Sequence, residues 1–175
     1  MSMYLHVLRD SSDRQDPSDK ELTHWAITTV SFLEIQNNKQ EFTIRIVDKA
    51  ESARINKLFR DKNSATNVLA FPFCATTPHP MGILGDLLMC APIIREEAEV
   101  QGKEITAHWA HTLVHGLLHL LGFDHKTDSE AKDMEALETT IMLKLEFPPP
   151  YEHIGDSVKL LTVNFKKKIP LVSSG

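Results

Sequence analysis

His115-Gly116-Leu117-Leu118-His119-Leu120-Leu121-Gly122-Phe123-Asp124-His125 is the stretch on which the reading of this chain turns. Leucines crowd it, so its natural form is a buried helix, predicted over residues 105–121. On such a helix His115 and His119, four residues apart, project from one face, stacked a turn apart. Gly122 falls where the helix should stop, at a position that favours a left-handed residue. The chain can turn there and return His125 to the same face. Two imidazoles at this spacing grip a metal ion, and a third histidine leaves one position of a tetrahedral zinc open, the layout of a catalytic site. His108 and His111 extend the stripe toward the N-terminus. Four imidazoles among leucines would be costly without partners. His115, His119 and His125 are the candidate ligands, and His108 and His111 are given supporting or helix-face roles.

Outward from this helix, hydrophobic spacing supplies the other elements. Residues 4–8, 42–47, 66–71 and 83–90 read as strands, with β-branched or continuous apolar runs. Ser18-x-x-Glu21 and Thr127-x-x-Glu130 are capping boxes, opening helices that carry Leu22, Trp25, Ala26, Thr29 and Leu33, and Met134, Leu137, Ile141 and Leu145. Shorter helices are predicted over residues 50–60 and 92–101. Residues 73–83, with Pro78, Pro80 and Gly82, read as a loop, and Pro148-Pro149-Pro150 ends the last helix. The order βαβαββααα predicts an α+β fold, a small mixed sheet packed with helices around a zincin-like zinc helix. Residues 1–153 form the expected domain. Residues 154–175, with four lysines and one aspartate, read as a weakly structured basic extension that could touch a polyanion; a chain ending at His153 should fold and bind zinc.

Composition narrows the class. At 175 residues the chain is long enough for one domain with a real core. No apolar run reaches the length of a membrane span, and no basic-then-apolar leader opens it. Two cysteines, Cys74 and Cys90, make no disulfide framework, which points to the cytoplasm. The net charge of −5 gives no overall field for nucleic acid. Between Arg45 and Lys62, however, six basic residues (Arg45, Lys49, Arg54, Lys57, Arg60 and Lys62) face three acidic ones, a local basic surface.

The spacing His-x-x-x-His-x-x-Gly-x-x-His is that of the metzincin proteases. Those enzymes carry their general-base glutamate directly after the first histidine, and here that residue is Gly116. Peptide hydrolysis by that route lacks its proton shuttle. The motif as it stands resembles the signature of the YbeY family of bacterial endoribonucleases. So do Val47-Asp-Lys-Ala-Glu-Ser52, Phe59-Arg-Asp-Lys62, Thr66-Asn-Val-Leu-Ala-Phe-Pro-Phe73, Leu84-Gly-Asp86 and Ala107-His-Trp-Ala-His111, in order. The resemblance implies one zinc ion per chain on His115, His119 and His125. It implies cleavage of single-stranded RNA at the 3′ end of the small-subunit ribosomal RNA and a part in ribosome quality control. Ribosomal RNA and the ribosome or its small subunit would be the partners, with no membrane and no DNA. The family's motif arginine falls on Arg60, whose guanidinium fork can hold phosphate oxygens and stabilise developing charge. Asp86 and Asp124 are open between orienting ligands or moving protons and purely structural roles; no residue stands out as a general base. Two other readings stay open: a ribosome-assembly factor in which zinc only stabilises the fold, and a zinc hydrolase of another substrate.

Overall fold

The computed structural model describes residues 2–35, 39–73 and 82–151. The expected extension 154–175, Cys74 and most of the 73–83 loop lie outside the described residues. Nine elements follow one another as β1 (Ser2–Asp10), α1 (Asp19–Phe32), β2 (Lys39–Val47), α2 (Lys49–Arg60), β3 (Val68–Pro72), β4 (Ile83–Cys90), α3 (Ala91–Gln101), α4 (Ile105–Leu120) and α5 (Asp128–Lys144). The order is the one that the sequence patterning predicts. The chain divides into two compact units, residues 1–123 and 124–175.

In the first unit the four strands form a mixed sheet ordered β1-β2-β4-β3. β1, β2 and β4 run parallel, and β3 runs antiparallel on the edge beside β4. β2 buries Phe42, Ile44 and Ile46 on one face while Thr43 and Arg45 between them are only half-buried, the period-two pattern of a strand. The register between β2 and β4 slips at Glu41/Phe42, leaving Leu84 without a partner in the ladder. The bulge turns on Gly85, at φ +133°: a Cβ there would lie 2.2 Å from the Phe71 carbonyl oxygen, so only glycine fits.

Alternate residues of β3 sort the helices to the two faces of the sheet. Leu69 joins Val47 and Leu88 in a cluster that also gathers Ile55 of α2 and Phe71. Val68 points the other way, to α4: a Cβ on Gly116 would come within 3.0 Å of its Cγ2 and 3.1 Å of Leu87 Cδ2. α4 is the central helix of the unit, with Trp109, Leu113, Leu117 and Leu118 fully buried. α1 opens at the predicted capping box and buries Leu22, Trp25, Ala26, Thr29 and Val30. α2 differs. The residues it buries are the polar Ser52 and Asn56, while Leu58 and Phe59 are 65% and 60% exposed. Ser52 Oγ donates to the Thr66 carbonyl and accepts from the Thr66 amide, and Asn56 Nδ2 donates to the Ser64 carbonyl. The helix thus clamps the loop that feeds β3.

In the second unit the Thr127 capping box opens α5, which buries Met134, Leu137, Ile141 and Met142. The Tyr151 hydroxyl, beyond the triple proline, donates to Glu138 at 2.5 Å. Burial first, and then the neighbouring Glu138 charge, raise its pKa well above the usual phenol range. No described helix is long and apolar enough to cross a membrane.

Candidate metal centre

α4 ends as the glycine predicts. Gly122 has φ +93°, its amide donates to the His119 carbonyl, and the Phe123 amide donates to the Leu118 carbonyl. These two bonds form a Schellman motif, which satisfies the last carbonyls and stops the helix one residue after His119, its fourth histidine. Above this stop the stripe is laid out on one face. His111, His115 and His119 are half-buried, whereas Thr112, Leu113, Val114 and Gly116, Leu117, Leu118 between them are buried. The ring centroids of His108–His111, His111–His115 and His115–His119 are separated by 6.4, 6.5 and 4.7 Å.

The closest approach is at the predicted ligands. The Nε2 atoms of His115 and His119 lie 3.2 Å apart, with the rings at 80° to one another. Two imidazole nitrogens on a tetrahedral zinc at about 2.0–2.1 Å would be separated by about 3.3 Å. The pair therefore fits one shared ion, just as it fits one shared proton. His125, the third predicted ligand, belongs to the second unit with Asp124, one residue beyond the unit boundary. There the Asp124 carboxylate accepts from the His125 amide at 2.8 Å and lies 3.4 Å from Lys126 Nζ. Asp86 is exposed on β4.

Gly116 explains the departure from the protease pattern. A Cβ on this residue would already lie 3.0 Å from Val68 and 3.1 Å from Leu87 of the sheet, so a methyl needs a small shift of its neighbours and a longer side chain a large one. The position that carries glutamate in metzincins is here the contact point of helix and sheet, which leaves little room for a carboxylate.

His108 is not a spare ligand. Its ring is almost wholly buried, and its Nε2 lies 2.7 Å from Glu97 Oε2, which also accepts from Asn67 Nδ2 at 3.1 Å. Its Nδ1 is buried without a hydrogen-bond partner. Burial, outweighing the Glu97 hydrogen bond, lowers its pKa and holds it neutral. This network ties α3, α4 and the residue before β3 together, setting the height of the histidine stripe against the sheet. Spacing alone gave no sign of Glu97. The signal lay in Thr66-Asn67 and Ala107-His108, two motif fragments whose polar residues fall at element ends.

Arg60 is the last residue of α2. Asp61 follows at φ 54°, with its amide on the Lys57 carbonyl and the Lys62 amide on that of Asn56, a left-handed stop with a wider pair of bonds than the one in α4. The Arg60 side chain leaves toward the outer edge of β3. There Nη2 donates to the Ala70 carbonyl at 2.9 Å, and the guanidinium lies 5.8 Å from the centroid of the Phe71 ring. Arg60 and the α4 histidines thus belong to helices on opposite faces of the sheet, with the edge strand β3 between them.

The nearby basic surface is more neutral than its residue count suggests. Arg45 and Arg54 both bind Glu51, Lys49 pairs with Glu96 and Lys57 with Asp61. The Arg54 hydrogen bond, helped by Arg45, holds the Glu51 carboxyl down at about 2.

Comparison with known proteins agrees with this architecture. A solution structure of a Thermotoga maritima protein, TM1509, superimposes with a TM-score of 0.53 at 18% identity, covering 86% of this chain and 99% of that one. At that identity the likeness concerns the fold, and it supports the α+β assignment. The family model described as Endoribonuclease YbeY matches residues 8–146, a span that takes in β2, β3 and β4, the stripe of α4, Arg60 and the capping box of α5. With the histidine motif, the glycine that replaces the protease glutamate and the strands beneath it all inside that match, the chain belongs to the YbeY family of endoribonucleases.

Proposed function

We propose that this protein is a zinc-dependent endoribonuclease that cuts single-stranded RNA in maturation of the small-subunit ribosomal RNA 3′ end, with a part in ribosome quality control. The observation that carries the metal reading is the 3.2 Å separation of His115 Nε2 and His119 Nε2 on one helix face. Family membership supports the RNA substrate. His115, His119 and His125 would hold one zinc ion per chain. Bound there, zinc would supply Lewis-acid polarisation of a phosphate oxygen and acidify water. The chain's own part is to orient and to hold charge. Glu97 and Asn67 fix the position of α4 through His108. Arg60, at the edge of β3, would bind a phosphate of the RNA and offset the negative charge that grows as the P–O bond is cut. Ribosomal RNA on the small subunit is the proposed partner, in the cytoplasm, where the buried thiol of Cys90 would stay reduced.

The test is incubation of the zinc-loaded chain with structured and single-stranded RNA beside a His115→Ala/His119→Ala variant. Cleavage confined to unpaired segments, absent in the variant, is the expected result. Stoichiometric zinc in that double variant would sink the ligand assignment. Tight ribosome binding without cleavage would leave an assembly factor instead.

A further inference from the structure

The apolar surface beside Arg60 has a composition that the proposed phosphate contact does not use. Phe59 is 60% exposed at the end of α2, and its ring meets that of Phe71 edge-on, with centroids 5.3 Å apart at 64°. Phe71 is anchored from below by the Val47–Leu69–Leu88 cluster. Arg60 stands near Phe71 and is fixed in turn by the Ala70 carbonyl. The three side chains are therefore held in place before any ligand arrives, on the edge strand of the sheet.

An exposed ring beside a held guanidinium matches a nucleotide, which presents a flat base and an anionic phosphate a few ångströms apart. A protein partner would need a broader apolar patch than two rings. A duplex keeps its base faces covered by their neighbours, so only unpaired bases can stack on a side chain. We infer that Phe59, steadied by Phe71, is a stacking platform for an unpaired base of the RNA while Arg60 takes the adjoining phosphate. This rests on the RNA reading above and supplies a physical source for a preference for single strands: the platform would be blind to base identity.

The probe is a short, non-cleavable 2′-O-methyl oligonucleotide, titrated against the full chain at fixed salt. Its counterparts are the same sequence with abasic sites and the same sequence annealed to its complement. Phe59→Ala should weaken binding of the single strand about tenfold, within the range for loss of one stacked base. Phe59→Trp should restore it, with indole fluorescence quenched by the single strand. Melting temperatures should barely change, because the ring is mostly in solvent. The abasic and duplex forms should bind wild type and Phe59→Ala alike. Failure of the wild-type chain to bind any of the three forms overturns the RNA reading and the platform with it. Single-strand binding that neither Phe59→Ala nor base removal weakens overturns the platform alone and leaves the aromatic patch to a protein partner.

Discussion

α4 and α2 are both amphipathic helices against the same sheet, but they spend their side chains in opposite ways. α4 buries ten residues and leaves its histidine stripe half-covered between leucines. α2 buries two small polar residues and turns Leu58, Phe59 and Arg60 outward. A change in α4 therefore disturbs packing and chemistry together. On the proposed function, a change at the end of α2 would touch the chemistry with the fold intact. What must be rigid would then lie in the first helix and what meets a large substrate on the second.

That contrast ranks what mutations should do. The largest effect belongs to His119→Ala. It removes one imidazole of the 3.2 Å pair, and two remaining ligands cannot hold the ion tightly. Metal affinity should fall by more than the roughly 10–100-fold that loss of an outer hydrogen-bonding partner costs. Metal analysis after dialysis, and cleavage with it, should both read near zero.

Next comes Arg60→Ala. If Arg60 stabilises developing charge, single-turnover cleavage should fall by about 10²–10³, as on loss of one preorganised donor. Metal content and melting temperature should stay near wild type, because the guanidinium is exposed. Arg60→Lys should recover only part of the rate, since the ammonium keeps the charge and loses the fork. Full activity in Arg60→Ala would strike it from the mechanism, and a large drop in melting temperature would make it a structural residue of the β3 edge.

Gly116 separates the helices by packing alone. Gly116→Val should destabilise the fold by about 1–3 kcal/mol, since the branched side chain must displace Val68 or Leu87. Gly116→Ala should be close to neutral, the tight contact being offset by alanine's advantage of about 1 kcal/mol in a helix interior. Chemical denaturation measures both. If valine were tolerated, the sheet would not be what keeps a glutamate from this position.

Much of this was legible in the sequence, for identifiable reasons. The nine elements follow from hydrophobic period, and both capping boxes and the Gly122 stop act as local chemistry requires, because each depends on neighbours a few residues away. The closeness of His115 and His119 is equally local: four residues on a helix fix the distance. What escaped depends on pairing across the chain. Strand order and the parallel register of β1 with β2 rest on contacts between residues over thirty apart. Glu97 likewise reaches His108, eleven residues away on the next helix, and Asn67, thirty residues away. The basic run of α2 misled in a different way. A count of six cations says nothing of the carboxylates folded against them, which leave Arg60 with its backbone contact as the distinctive member.

The smallest effect, and the finest test of the contrast, is the pH dependence of His108. Desolvation by burial lowers its pKa, with the neighbouring His111 and Lys103 acting in the same direction, while the Glu97 hydrogen bond and charge oppose. In the unfolded chain an ordinary histidine titrates near about 6.5. The unfolded state therefore takes up the proton more readily than the folded one. Stability is unaffected by this group above that pH and is lost progressively as pH falls below it. Glu51 behaves differently. Its carboxyl, at about 2 in the fold, contributes stability that is present above the unfolded value of about 4.3 and disappears only as pH drops from there toward 2. The Glu51 window lies wholly below about pH 4.3, so melts of the metal-free chain between pH 7.5 and 5 sample His108 and not Glu51. Comparison with His108→Gln isolates the contribution of this one ring. The wild type should lose melting temperature more steeply than the variant over that interval. Parallel curves would mean that His108 takes up its proton equally well in the fold and in the unfolded chain, and a shallower loss in the wild type would mean that His108 is charged inside the fold, held by Glu97 as an ion pair. The anchor of α4 would then be electrostatic, and the helix would share more of the character of α2 than its burial suggests.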